Sequence, residues 1–121
     1  NSGIFIHTTY QENGWPNKGY EIQVNQSHGD WRKSGSLYSF NDVREVYVQD
    51  GEWYTYHIIV KGDQATVKIN DKVVMEYDES DGSNRPENAG EKKFDRGTIA
   101  LQAHDPESVI YYRSVKIKLL D

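Results

Sequence analysis

Apolar residues in this chain recur at every second position in short segments, and the i, i+3, i+4, i+7 spacing of a packed helix nowhere persists beyond about 10 residues. That period restricts the chain to strands. Strands bury an apolar face by stacking sheets, so the pattern predicts an all-β, two-sheet sandwich in which one sheet can bind a ligand and the other closes the core. The alternating segments are rich in Val, Ile, Tyr and Thr, which suit a pleated, half-buried surface. Strands are expected at about Ser2 to Thr8, Tyr20 to Asn25, Ser36 to Phe40, Trp53 to Lys61, Ala65 to Asn70, Lys72 to Tyr77, Thr98 to His104 and Val109 to Leu119. Turn chemistry at Lys61-Gly62-Asp63-Gln64 and at the Asn70-Asp71 pair makes a three-stranded antiparallel meander of the middle segments. Asn41 to Val48 is the best place for a helical turn. The polar, aperiodic run from Asp78 to Lys93 is expected to be a long loop.

At 121 residues the chain has the length of one domain, spanning 1–121, with room for one two-layer core. A net charge of −5, with Lys92-Lys93 as the longest basic run, argues against nucleic acid as the partner, because a polyanion needs a concentrated basic patch. No apolar stretch approaches the roughly 18 residues of a membrane-spanning helix. There is no cysteine, so no disulfide or thiolate metal site is available. The chain starts at Asn1 without an initiator Met, as a mature, trimmed or fragmentary chain would.

Two strands carry more than core. In Tyr20-Glu21-Ile22-Gln23-Val24-Asn25 and Ile99-Ala100-Leu101-Gln102-Ala103-His104, alternation sends Tyr20, Ile22 and Val24, or Ile99, Leu101 and Ala103, to one face. Glu21, Gln23 and Asn25, or Gln102 and His104, fall on the other. A face offering a carboxylate, amides and an imidazole suits a ligand with many hydroxyls, such as a carbohydrate. Asn25-Gln26-Ser27 fits a glycosylation acceptor pattern, and Asp78-Glu79-Ser80-Asp81-Gly82 has the composition but not the spacing of a calcium loop.

Several segments, in order, resemble one known family. They are Asn1-Ser2-Gly3-Ile4-Phe5, Gly19-Tyr20-Glu21-Ile22-Gln23, Ser34-Gly35-Ser36-Leu37-Tyr38, Gly51-Glu52-Trp53, Ile69-Asn70-Asp71, Ile99-Ala100-Leu101-Gln102-Ala103-His104 and Tyr112-Arg113-Ser114-Val115-Lys116-Ile117. Together they are similar to the 3-keto-disaccharide hydrolase domain. The resemblance implies a concanavalin-like jelly-roll β-sandwich of two antiparallel sheets, usually in exported bacterial proteins and so extracellular or periplasmic. It also implies action on glycosides oxidised at sugar carbon 3. Against the family pattern the chain looks like roughly the C-terminal two-thirds of the domain, so another segment or chain is expected to complete the sandwich at its open strand edges. The family often has Arg where this chain has His7, and Gly where it has Asp105.

A ketone at carbon 3 acidifies the proton on carbon 2. A base can then form an enolate that expels the group on carbon 1, and a preorganised donor or cation that stabilises the enolate contributes about 3 kcal/mol. Under the resemblance, Glu21 and His104 are the expected catalytic pair, and also the ligands of a divalent metal ion if one takes part. Gln23 and Gln102 suit sugar hydroxyls, and Trp15 or Trp31 could stack on a sugar ring. His7 or Arg113 could supply the cation. Each residue has a plainer alternative. Glu21 could be a solvated face residue, His104 a loop cap, and His7 a tucked, hydrogen-bonded side chain. Arg113 shares parity with Val115, Ile117 and Leu119 and is expected to pair with an acid in their layer. Trp53 is expected in the core, His57 outward on a sheet, and His28 near the cleft without a motif to support it. A carbohydrate-binding module without catalysis is the competing function.

Overall fold

In the computed structural model, which describes residues 1–120, the chain forms two three-stranded antiparallel sheets and no α-helix. The strands are β1 (Ser2–Thr8), β2 (Tyr20–Val24), β3 (Tyr56–Lys61), β4 (Gln64–Ile69), β5 (Lys72–Asp78) and β6 (Thr98–Leu101). One sheet has the order β2-β1-β6 and the other β3-β4-β5. The arrangement is that of a two-layer all-β sandwich, and among the described residues no helix is long and apolar enough to cross a membrane.

The second sheet is the meander that its turns predict. Asn70 and Asp71 join β4 to β5 with φ of 49° and 66°, the left-handed pair that a two-residue hairpin requires. β3 and β4 pair in register from Tyr56 opposite Ile69 to Lys61 opposite Gln64. The core lies between the layers, where Ile6 of β1 and Tyr20 and Ile22 of β2 meet Val67 of β4 and Met75 and Tyr77 of β5. Leu37, from the loop after β2, completes the cluster. Tyr56 fastens the layers: its hydroxyl donates to the carbonyl of Gln23 at 2.6 Å and accepts from the amide of Gly35 at 2.5 Å.

Several expectations fail for identifiable reasons. Ser36 to Phe40 is no strand; Leu37 makes only isolated bridges to Ile22 and Asn41 within a tight turn closed by Phe40 and Asn41 amides on the Leu37 carbonyl. Asn41 to Val48 forms no helical turn. β3 starts at Tyr56, which leaves Trp53 outside it, 57% exposed and stacked under the Arg113 guanidinium at 4.2 Å. Residues 109–120 pair with no strand among the described residues, so the alternation of Val115, Ile117 and Leu119 stays exposed. Arg113 therefore has a ring for a partner rather than a buried acid. β6 is an edge strand that ends at Leu101, and among the described residues its inner face is left partly open. Ile99 and Leu101 are thus 40% and 47% exposed despite their core parity. The long loop after β5 is irregular apart from a single 3-10 turn at Gly82–Asn84.

Candidate active site

The outer face of the first sheet is built in rows. Glu21 of β2 lies opposite Phe5 of β1, and Phe5 lies opposite Ala100 of β6. One row along, Gln23 lies opposite Gly3, whose carbonyl accepts the amide of Gln102 at 2.9 Å. Phe5 gives this floor an apolar centre, and the Gly3 row gives it a dip. The Glu21 side chain lies across that dip: a Cβ added to Gly3 would sit 2.5 Å from Glu21 Oε1 and 2.9 Å from its Cγ. A mid-strand glycine normally weakens a strand, and here it makes room for a carboxylate.

Amides hold the carboxylate in place. With its amide nitrogen facing inward, Gln23 donates to Glu21 Oε1 at 3.1 Å and to the carbonyl of Ser2 at 2.9 Å. Gln102 hydrogen-bonds Glu21 and favours its charged form, while its own Oε1 is buried without a partner. Burial outweighs these contacts and, with a smaller push from the Asp30 charge, holds the Glu21 carboxyl up at about 7; the Gln102 bond and the Lys92 charge act the other way.

Loops shape the walls. The Gln11 amide closes the loop after β1 by donating to the carbonyls of Asn13 and Trp15 at 2.7 and 2.6 Å and accepting from Asn17 N at 2.9 Å. That sets Trp15 edge-on to His104, with ring centroids 4.9 Å apart. Asn25 shapes the loop after β2, donating to the carbonyls of Asp30 and Arg32 at 2.8 and 2.9 Å and accepting from His28 N at 2.9 Å. Asn25 is therefore a buried scaffold residue, not part of the polar face and not an accessible glycosylation acceptor. The result is a cleft of about 410 Å³ bordered by Glu21, Gln23, Gln102, His104 and Trp15, with Asp30, Tyr38 and Lys92 on its rim.

Three residues singled out from the sequence lie elsewhere. His7 sits in the irregularity where the β1–β6 register shifts, at φ 54°, and its Nδ1 donates to the carbonyl of Asp95. Trp31 is occupied by the Arg44 and Arg32 guanidinium groups, 4.1 and 4.7 Å from its ring centroid. Arg113 stacks on Trp53. None of the three borders the cleft. The side-chain ammonium there is that of Lys92, which strand periodicity cannot find because it lies on an irregular loop. Its one sequence signal is the Lys92-Lys93 pair. Glu21 and His104 are the two candidate metal donors on the cleft, and no group of three His, Asp or Glu converges among the described residues.

Gly3→Ala is expected to slow any reaction that depends on Glu21 by up to about 10²-fold, the cost of displacing a reacting group by about 1 Å. Urea denaturation should show a folded protein of nearly unchanged stability. Full activity in the variant would mean that the Glu21 pose does not matter.

The fold and site define a class: a two-layer all-β domain with a half-enclosed, amide-lined cleft around one carboxyl on the outer face of a sheet. The chain belongs to the 3-keto-alpha-glucoside-1,2-lyase-like domain family, whose sequence model matches residues 1–118. Neither a curated protein nor a solved structure gives a significant match.

Proposed function

We propose that this domain is an enzyme that cleaves the glycosidic bond of 3-keto-glycosides, with Glu21 as the base. The observation that carries the reading is the Glu21 carboxyl, held by amides in a cleft and raised to about 7, where a carboxylate is basic enough to take a proton yet still about half ionised at neutral pH. Family membership supports the substrate class.

In this reading Glu21 removes the carbon-2 proton, and the electron pair of that C–H bond passes into the C2–C3 enolate. The pair then forms the C1–C2 double bond as the C1–O bond breaks and its electrons leave with the aglycone oxygen. His104, on the same cleft, gives that oxygen a proton. Addition of water across the new double bond turns the elimination into a net hydrolysis. Gln102, which is half-buried on the cleft, meets sugar hydroxyls, while the buried Gln23 amide holds the carboxylate. An exported setting in a bacterium belongs to the same proposal.

The test compares product formation from a 3-keto-glucoside with that from its unoxidised parent, with and without a divalent metal ion. Cleavage of the keto substrate alone is the expected result. Sugar binding without cleavage would instead make the domain a carbohydrate-binding module.

A further inference from the structure

Lys92 has the position of a reacting group, although it comes from a loop without regular structure. The main chain around it is tied down on both sides. Glu91 O accepts the amide of Gly19, the residue that leads into β2, at 3.3 Å, and Lys92 O accepts from the Arg85 guanidinium. Arg85 is itself fixed, donating to the Tyr20 hydroxyl at 2.9 Å and to Glu79 Oε1 at 3.3 Å, and Glu79 also takes the amide of Phe94. Tyr20 is the neighbour of Glu21, so one network sets the loop and the strand that carries the base.

The side chain is constrained as well. Lys92 Nζ donates to the carbonyl of Pro16 at 3.1 Å, next to Trp15 on the cleft wall. An ammonium has three donors, and among the described residues no second hydrogen bond to Lys92 Nζ is present. The half-buried ammonium acts on Glu21 through space: burial lowers the Lys92 pKa, Glu21 pulls it back up, and Lys92 in turn draws the Glu21 carboxyl down. The other titratable groups bordering the cleft are the Asp30 carboxylate, the His104 ring, the Tyr20 and Tyr38 hydroxyls and the Asn1 ammonium, which is held by Ser108 and Asp105. The cleft therefore places a carboxyl made a base by its surroundings within reach of the charge of an ammonium that has donors to spare.

We propose that Lys92 is the electrophilic partner of Glu21, its ammonium contacting the carbon-3 oxygen of the substrate and taking up the negative charge that builds there as the carbon-2 proton leaves. This rests on the lyase reading above. The reaction needs a group that binds the enolate oxygen more strongly than the ketone oxygen, and a fixed ammonium in a partly dry cleft does so. No covalent bond forms between Lys92 and the sugar.

Enolisation can be read apart from glycosidic cleavage with a 3-keto sugar that has no aglycone at carbon 1, such as 3-keto-1,5-anhydroglucitol. Its carbon-2 proton should exchange with deuterated water in the presence of the wild-type domain. Lys92→Met is expected to slow both this exchange and cleavage by about 10²-fold, and Lys92→Arg to restore much of each. NMR titration of the Glu21 carboxyl in Lys92→Met should move its pKa above the wild-type value, confirming a folded cleft that has lost its cation. A folded Lys92→Met that exchanges and cleaves at wild-type rates would overturn the role of Lys92 and leave the lyase reading intact. A wild-type domain that neither exchanges nor cleaves would overturn both, and a borohydride-trapped adduct on Lys92 would replace the electrostatic role with a covalent one.

Discussion

Glu21→Gln is expected to lower kcat/KM for a 3-keto-glucoside by about 10²- to 10⁴-fold, the usual effect of removing a positioned base. The substitution keeps the shape of the side chain and its place over Gly3, so the loss isolates proton transfer. In the wild type, kcat/KM should rise with pH through about 7, because only the ionised carboxylate accepts the carbon-2 proton. That limb should vanish in Glu21→Gln. A pH profile unchanged by the substitution would move the base elsewhere.

The same group ties stability to pH. Because the Glu21 pKa is raised in the folded state, the native protein binds this proton more tightly than the unfolded chain does. Its contribution is present in full below the ordinary value of 4.5 and is lost as pH rises through about 7. Relative to Glu21→Gln, the wild type should therefore lose stability across that window. A difference between the two that does not vary with pH would contradict the burial of this carboxyl.

Ile22→Ala is expected to cost about 2–5 kcal/mol of folding stability, measured by urea denaturation, against the roughly 5–15 kcal/mol of a typical domain. Ile22 is fully buried, packed among Tyr20, Leu37 and Val67 between the layers, so truncation loses transfer energy and leaves a cavity. Ile99→Ala is the matched control. It has the same residue type and core-facing parity but 40% exposure on an edge strand, and its loss should fall within about 0.5 kcal/mol. Equal costs would mean that the inner face of β6 is covered after all.

These two isoleucines show what alternation tells and what it omits. It places β1 within its bounds and nearly those of β2, because strand parity is a property of neighbouring residues. It also places Glu21, Gln23 and Gln102 on one polar surface. Whether the opposite face is covered depends on what packs there, so Ile22 is core and Ile99 is not. The same holds for Val115, Ile117 and Leu119, whose pattern is that of a strand but whose backbone meets no partner among the described residues. Cations are the least legible. Lys92 reaches the cleft through the Gly19 and Arg85 contacts of its loop, whereas Arg113 is drawn to the exposed face of Trp53. The Gln11 amide, which folds one wall loop, looks from the sequence like an ordinary polar residue, and Asn25, which folds the other, is assigned by alternation to the polar face instead.

Gly3 gives the domain an uncommon exposure to improvement. Any procedure that ranks substitutions by strand propensity or buried apolar area would choose this interior β1 position early, since almost every other residue suits a strand better than glycine. Each of those replacements would fill the hollow in which the Glu21 carboxyl rests. A library selected for heat tolerance alone should thus drift away from glycine here and accumulate folded, inert proteins, while one selected for turnover should hold it.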